Sequence, residues 1–498
     1  MSSRTAAALV FTTSAAVLVL ETLAGRLLAP YAGVTLETFT AIIGTILAGI
    51  SLGAWLGGRA ADRHDPDRLI GPLIAVGGAL SYASVPLIDI LGPSASANGG
   101  INPFGLVIVT AIAFFAPAAV LSAISPLIVK ASLDDLEETG KIVGRLSAIG
   151  TAGAIVGTFV TGFVLVANFP TRPTVFVIAT FLVLLGISFA IGNTQARRTL
   201  PAVLAIAAAG ATIGVMVNGP CEHESPYFCA TITADPDRES GRILRLDTLR
   251  HSYVDLDDPT YLDFSYAQAL EDVLAVEHPA PEPITAVHVG GGGFTFPRYL
   301  RATRPGTQST VLELDPLLVQ LSEDELGWEP GPDVDVITGD ARLTLGLLPD
   351  GEADLVIGDA FGGVSVPWHL TTQEFVQLVH DKLRPGGTYA LNMIDYGARD
   401  FARAEMATLA SVFEHVAAFS PADRFGPRDA SAGGNYVIVA SDDPIAVDEI
   451  VERNNDSGDD EAAVSTADGS LQDFIGDAQV LTDDHAPVDQ LLTPLPTR

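Results

Sequence analysis

The stretch 287–314, VHVGGGGFTFPRYLRATRPGTQSTVLEL, constrains this chain more than any other. An apolar run ends in four glycines, 290–293, a stretch of helical pattern follows, and a second apolar run, 309–314, carries Glu313. Strand, glycine turn, helix and strand in that order form the unit that holds an adenosine-containing ligand outside the carboxyl ends of parallel strands. Glycine suits such a turn because a Cβ would keep a ligand off the backbone, and because glycine reaches positive φ without strain. An acid about 20 residues on, at the tip of the next strand, can accept both hydroxyls of a ribose. Glycines also serve purely structural turns, so the argument leans on Glu313, and on Asp340 and Asp359 at the ends of later apolar runs. The run reads GGGGF rather than G-x-G-x-x-G, which favours an S-adenosyl ligand over a dinucleotide.

Length and charge bound the rest. A chain of 498 residues implies more than one domain at roughly 150 residues each. The mean hydropathy of +0.35 conflicts with 17% charged residues until the halves are separated: residues 1–217 are almost wholly apolar, and the remainder is acidic and globular in pattern. The net charge of −33, from 60 acids against 27 bases, argues against nucleic acid as a partner, since backbone binding needs a basic surface. An ordinary acidic protein is one reading; the spread of the acid excess over helices, loops and tail favours adaptation to high salt, where repulsion is screened within roughly 3 Å.

Seven apolar segments fall at about 6–29, 37–58, 69–91, 104–129, 143–167, 174–192 and 200–217. Each is near or above the roughly 18 residues that cross a bilayer as a helix, so the lipid bilayer is an expected partner and the cell membrane the expected location. The first segment is too long for a signal peptide and is read as retained. Gly49, Gly53 and Gly57, and again Gly153 and Gly157, sit four apart, a spacing that lets helices approach closely. Glu21 and Arg26 lie in the first segment, where ionisable groups raise the question of transport; both are near its end, where they can reach the interface. With seven spans, Arg4, Arg59, Arg63, Arg68, Lys130, Lys141, Arg145, Arg197 and Arg198 share one side, against Arg26 and Arg172 on the other. The amino terminus is then cytoplasmic and residues after 217 lie outside; one span more or fewer reverses this. Cys221 and Cys229, the only cysteines, suit a local disulfide in an oxidising exterior. A metal site with His223 is the alternative, although its spacing matches no common zinc pattern.

Beyond 217 the chain alternates. Residues 227–233 and 242–248 flank the turn DPDRESG and read as a hairpin, and 279–283 is a proline-rich break. VDVITGDARLTLGLL ends a strand at Asp340, and DLVIGDAF ends one at Asp359, followed by a helix from about Thr371 or Thr372. RPGGTYALNMI is a further strand, NYVIVAS the late strand of an antiparallel edge, and 454–470 an acidic loop. The expected architecture is a multi-pass α-helical membrane domain of about seven helices (1–217) and a small β-hairpin domain (218–260). An α/β doubly wound, Rossmann-like domain (261–445) follows, then an acidic loop and C-terminal segment (446–498).

VHVGGGG, VLELD, ITGDAR, IGDAFGG..VPWHLTT.EF and LRPGGTYALN together resemble spermidine synthase, the aminopropyltransferase of polyamine synthesis. The hairpin with LRLDTLRHS and DFSYAQAL is similar to that family's small β-domain and the helix after it, and LTDDHAPVDQLL to its membrane-fused forms. The resemblance covers about 222–440. It implies that Glu313 holds the ribose of decarboxylated S-adenosylmethionine, with Gly290 and Gly292 against the same molecule. Asp340 and Ala341 would meet the adenine edge, and His251 stands where the family has a glutamine that touches the cofactor. Asp359 would steer or deprotonate the attacking nitrogen of a small amine, and Tyr266 would line the substrate pocket. No metal is implied, and a homo-oligomer joined through the hairpin is admitted.

Each residue has a structural reading beside this one: strand-end aspartates cap helices, Tyr266 and His251 can be core, and His369 can pack or cap before its helix. The sequence departs from the family at Gly293 and Gly362, where acids that bind the cationic diamine are usual; putrescine is therefore doubtful as the acceptor. The alternatives are a methyltransferase using S-adenosylmethionine itself, and a non-catalytic polyamine sensor or transporter.

Overall fold

The computed structural model describes all residues except 98–99, 134–138, 192–195, 218, 363–365, 426–432, 458–463, 466–469 and 493–498. The chain divides into two compact units, Met1–Thr231 and Ile232–Pro496.

Among the described residues of the first unit, six helices are long and apolar enough to cross a membrane: Ser3–Ala32, Leu36–Arg63, Pro66–Ala95, Pro103–Ala131, Thr139–Asn168 and Thr171–Ala190. The seventh apolar segment forms the shorter helix Leu200–Met216. Of the seven expected helices, six thus meet the length for a crossing, while the last breaks at Val217 after 17 residues, about 25 Å at 1.5 Å per residue.

The spaced glycines are contact points between helices. A Cβ at Gly53 or Gly57 would run into the backbone of Ala119 or Ala123, and one at Gly153 or Gly157 into that of Phe11 or Ala15. Large apolar side chains such as Trp55, Phe104, Phe163 and Val177 face outward.

Two arginines tie chain ends of this unit together. Arg26 donates to the carbonyls of Ser225 (2.5 Å) and Tyr227 (2.9 Å) and lies 3.6 Å from Glu224. Glu224 accepts from the Thr171 N–H at 2.9 Å, at the start of its helix. Arg172 pairs with Asp89 at 2.8 Å and donates to the carbonyls of Gly214 and Val217. The loop that Arg26 and Thr171 hold is closed by a Cys221–Cys229 disulfide. Both sulfurs are thus taken, which removes the metal alternative with His223.

The second unit begins inside the strand Cys229–Ala234, whose residues 232–234 neighbour β1 (Gly241–Leu246), itself paired antiparallel with β2 (Leu249–Asp255). Then come α1 (Ser265–Glu277), β3 (Thr285–Val289), α2 (Thr295–Thr303), β4 (Gln308–Glu313), α3 (Pro316–Asp324), β5 (Val334–Thr338), α4 (Ala341–Leu345) and β6 (Ala353–Gly358). They are followed by α5 (Gln373–Lys382), β7 (Leu383–Tyr396), α6 (Asp400–Ala410), β8 (His415–Ser420), β9 (Gly433–Ser441), α7 (Val447–Ser457), β10 (Val464–Ser465), α8 (Ser470–Ile475) and α9 (Val488–Leu491).

β3 to β10 form one sheet in the order β10-β8-β9-β7-β6-β3-β4-β5. β5, β4, β3, β6 and β7 are parallel, and β9, β8 and β10 are added antiparallel. NYVIVAS lies in β9, within the antiparallel edge of the sheet as expected, and there it pairs on both sides. Its unbroken burial from Tyr436 to Ser441 is the pattern of a strand covered on both faces. Of the expected acidic loop 454–470, the first residues finish α7, and 458–463 and 466–469 lie outside the described residues.

The apolar runs explain the sheet. Val287, Val289, Leu312 and Val356 face one core, with Phe375, Val376 and Val379 of α5 packed on it. Ala286, Leu355 and Ile357 face the other, covered by Leu270, Val273 and Leu274 of α1. β3 runs on to β4 and β5 on one side, while β6 and β7 extend the other, so β3 and β6 flank the point where strand order reverses. That crevice is where ligands bind in open α/β sheets.

Candidate active site

Gly290 follows β3 and Asp359 follows β6, side by side across this switch point, and the Asp359 N–H donates to the Val289 carbonyl at 2.9 Å. Gly290 has φ +101° and Gly292 φ +50°, the region that favours glycine. The space around the turn is filled by the protein. A Cβ at Gly290 would lie 2.4 Å from the Asp359 carbonyl oxygen, one at Gly291 3.2 Å from Glu313 Oε2, and one at Gly292 2.6 Å from Ser252 Oγ.

Glu313, at the tip of β4 and 6% exposed, holds the turn from below. Its Oε2 accepts from the N–H groups of Gly291 (2.8 Å) and Gly292 (3.1 Å), and its Oε1 from Asp315 N–H (2.8 Å). Burial pushes its pKa above the ordinary value, against the pull of those three donors. A carboxylate oxygen has a second lone pair, so these contacts do not exhaust the acceptor capacity of Glu313.

A narrow cleft opens above the turn, lined by residues that include His251, Tyr266, His288, Gly290, Gly292 and Asp359. Five of these were expected from sequence; Glu313, Asp340 and Ala341 do not line it. Asp359 is half-buried. Its Oδ2 accepts from the Tyr266 hydroxyl and its Oδ1 from the Asn392 amide, each at 3.0 Å. Burial raises the pKa of Asp359, and the Asn392 and Tyr266 hydrogen bonds oppose that shift. The Tyr266 phenol is pushed well above its usual value by burial and by the Asp359 charge, so it stays a donor. Burial lowers His251 to about 4 and His288 to about 3; both are neutral near pH 7.

Asp340 caps α4, accepting from Leu343 N–H at 3.2 Å, and meets His369 Nε2 at 2.9 Å. Ala341 is the first residue of α4 and is buried. Beside them Arg342 makes a two-pronged contact with Asp483, 2.6 Å on each arm, and Thr372 donates to the same carboxylate at 2.8 Å. The closing LTDDHAPVDQLL is thereby fastened to α4 and α5.

Sequence reasoning missed His288 and Asn392. His288 is a polar residue inside an apolar run, a signal in itself; nothing in LRPGGTYALN marks Asn392. The two departures also become physical. A Cβ at Gly293 would sit 3.0 Å from both Ser252 Cβ and Val254 Cγ2, so an acid there would crowd these two side chains. Gly362 is exposed. Of the cleft's acids, Asp263 is paired with Arg250 at 2.6 Å, leaving Asp359.

No family model matches the chain. The chain is similar to the polyamine aminopropyltransferase of Vibrio vulnificus (strain CMCP6), 30% identical over 153 residues that make up 30% of this chain and 50% of that protein. It is 30% identical over 145 residues to a probable polyamine aminopropyl transferase of Bifidobacterium longum (strain NCC 2705), covering 29% of this chain and 32% of that one. The chain thus spans about half the length of the first relative and a third of the second. With a polyamine aminopropyltransferase of Neisseria meningitidis (serogroup A, strain Z2491) it shares 27% identity over 194 residues, 38% of this chain and 71% of that protein. Among solved structures it is similar to a probable spermidine synthase from Corynebacterium glutamicum, with 26% identity and a TM-score of 0.49, over 55% of this chain and 98% of that one. The chain is thus similar in sequence to polyamine aminopropyltransferases over a part of its length, and the motifs at 287–314, 340–342 and 357–362 are those on which it resembles spermidine synthase.

Proposed function

We propose that the second unit transfers an aminopropyl group from decarboxylated S-adenosylmethionine to a small amine, releasing methylthioadenosine. The observation that carries this reading is Asp359, held by Tyr266 and Asn392, at the edge of the cleft beside the glycine turn. The amine nitrogen attacks the carbon next to the sulfonium as the carbon–sulfur bond breaks. The bonding pair leaves with sulfur, which becomes a neutral thioether, and the new ammonium gives up a proton to Asp359. A positioned carboxylate of raised pKa suits that task, and much of the rate comes from holding the two substrates in line.

The chain's residues fit the S-adenosyl co-substrate in kind. Glu313 retains lone pairs for a ribose diol, the N–H groups of the turn are close by, and Asp340 with Ala341 would meet an adenine edge. The acceptor remains an amine of a kind that needs one carboxylate rather than three, because Gly293 and Gly362 carry no acid and Asp263 already has its arginine.

We also propose that the helices of the first unit cross a lipid bilayer and that the second unit lies outside the cytoplasm. Arg172, at the start of its helix, reaches the carbonyls of Gly214 and Val217, so Leu200–Met216 runs antiparallel to Thr171–Ala190 and serves as a seventh crossing. The disulfide on that same side supports an oxidising compartment.

The test uses the whole protein in detergent and high salt, given decarboxylated or intact S-adenosylmethionine with a panel of amines, and products read by mass. A propylamine addition with methylthioadenosine is expected and identifies the acceptor. Addition of a methyl group would make it a methyltransferase instead. No product with either co-substrate, alongside saturable amine binding, would overturn catalysis in favour of a sensor.

A further inference from the structure

We infer that Asn392 and Asn435 are positioning residues for Asp359: Asn392 holds one carboxylate oxygen, and Asn435 reinforces the orientation that sets the Asn392 amide nitrogen toward it. The inference rests on the proposed role of Asp359 as proton acceptor. Asn392 is on β7 and Asn435 on β9, paired strands in which Asn392 stands opposite Val437 and Asn435 opposite Ile394. The Asn392 Nδ2 donates to Asp359 Oδ1 at 3.0 Å, and its Oδ1 accepts from Asn435 Nδ2 at 2.8 Å. The Asn435 backbone carbonyl accepts from Ser420 Oγ (2.7 Å) and Arg424 Nη1 (3.1 Å), which places the root of its side chain.

A primary amide has a donor end and an acceptor end of nearly the same shape. Turned the wrong way, Asn392 would set an oxygen against a carboxylate oxygen and repel it. Asn435 reinforces the other orientation by donating to the acceptor end while Asp359 accepts from the donor end. Asn392 is 4% exposed, so water cannot stand in, and an unmet amide there is costly. With the Tyr266 hydroxyl on the second oxygen, the carboxylate is held at both ends, and the orientation of its remaining lone pairs is set. Supporting hydrogen bonds of this kind hold a reacting group in its productive orientation.

The other titratable groups around Asp359 do not perform this task. Tyr266 approaches from α1 and already serves Oδ2; His288 on β3 and His251 on β2 are neutral; Asp263 is held by Arg250. The lining residues of α2, Thr295, Phe296 and Pro297, carry no titratable group.

The test compares the full-length protein with Asn392→Ala, Asn435→Ala and the double variant by two readouts. The first is the titration of the Asp359 carboxyl in ligand-free protein, followed by pH-difference infrared spectroscopy with Asp359→Asn to assign the band. The second is kcat/KM against pH. Loss of a donor to the carboxylate should move the Asp359 band, and with it the acid limb of kcat/KM, to higher pH. Asn392→Ala should have the larger effect and lower the plateau about tenfold, as expected for one hydrogen bond to a charged group. The double variant should be no worse than Asn392→Ala, because Asn435 acts through it.

A band that stays at its wild-type pH in folded Asn392→Ala would overturn the inference, as would losses that add in the double variant. Should Asn392→Ala not fold, the half-buried Asn435 leaves Asn435→Ala to decide by the same shift. A band that moves in protein that turns nothing over would uphold the positioning and sink the transferase reading alone.

Discussion

The Cα of Gly290 lies so close to the backbone of Asp359 that a Cβ on it would come within 2.4 Å of the Asp359 carbonyl oxygen. The glycine turn and the candidate proton acceptor are therefore one rigid joint between the ends of β3 and β6. Gly290→Ala is expected to cost at least about 1–3 kcal/mol, since φ is +101° and backbone has to move. A displaced Asp359 should reduce turnover about 100-fold. Chemical denaturation and steady-state rates check both; an alanine variant of normal stability and rate would show that the contact relaxes freely.

Asp359→Asn keeps the shape and both neighbouring contacts but cannot take a proton. Turnover should fall by about 10²–10⁴-fold, the span attributed to general base catalysis, while affinity for methylthioadenosine stays within a few-fold. Equal losses in both would make Asp359 a binding residue.

The pH dependence has a definite sign. Burial raises the pKa of Asp359 above 3.8, and only the deprotonated form accepts a proton, so kcat/KM falls as pH drops through that raised value. Tyr266→Phe removes a donor that favours the charged form, so the acid limb should move to still higher pH. A pH–rate series on the two proteins decides it; a limb that moves to lower pH contradicts the assignment.

Glu405 of α6 sits in the core, 1% exposed, with Oε2 lacking a partner among the described residues, and burial holds its pKa well above 4.5. A raised carboxyl pKa contributes stability that is present below the unfolded value and is lost as pH rises through the folded one. Glu405→Gln should leave stability unchanged below about pH 4 and raise it by on the order of 1–3 kcal/mol at pH 8, the cost of an unmet buried polar group or more. Thermal unfolding across that range reads the difference.

The C-terminal segment is structural. Leu481 is 2% exposed, accepts from the Gln373 N–H at 2.8 Å and donates to Thr408 Oγ1 at 2.9 Å. Leu481→Ala should destabilise the second unit by about 2–5 kcal/mol, read as faster proteolysis of that unit in the full-length protein.

Local pattern alone carried much of this protein. The apolar runs dictated helices and strands, the strand ends at Asp340 and Asp359 fell within a residue or two of where they were expected, and the glycine turn with Glu313 announced the switch point. These are readable because periodicity and chain-reversal chemistry act over a few neighbouring residues. Tertiary structure alone decided that Tyr266 and Asn392 converge on Asp359 from 93 and 33 residues away, that Glu313 turns back to grip the glycine N–H groups, and that Ser252 and Val254 fill the space at Gly293. It also gave NYVIVAS a partner strand on both sides. Those partnerships follow from strand order and register, which are set by how whole faces of helices and sheet bury one another, and a linear pattern does not encode which distant side chains that burial brings within 3 Å.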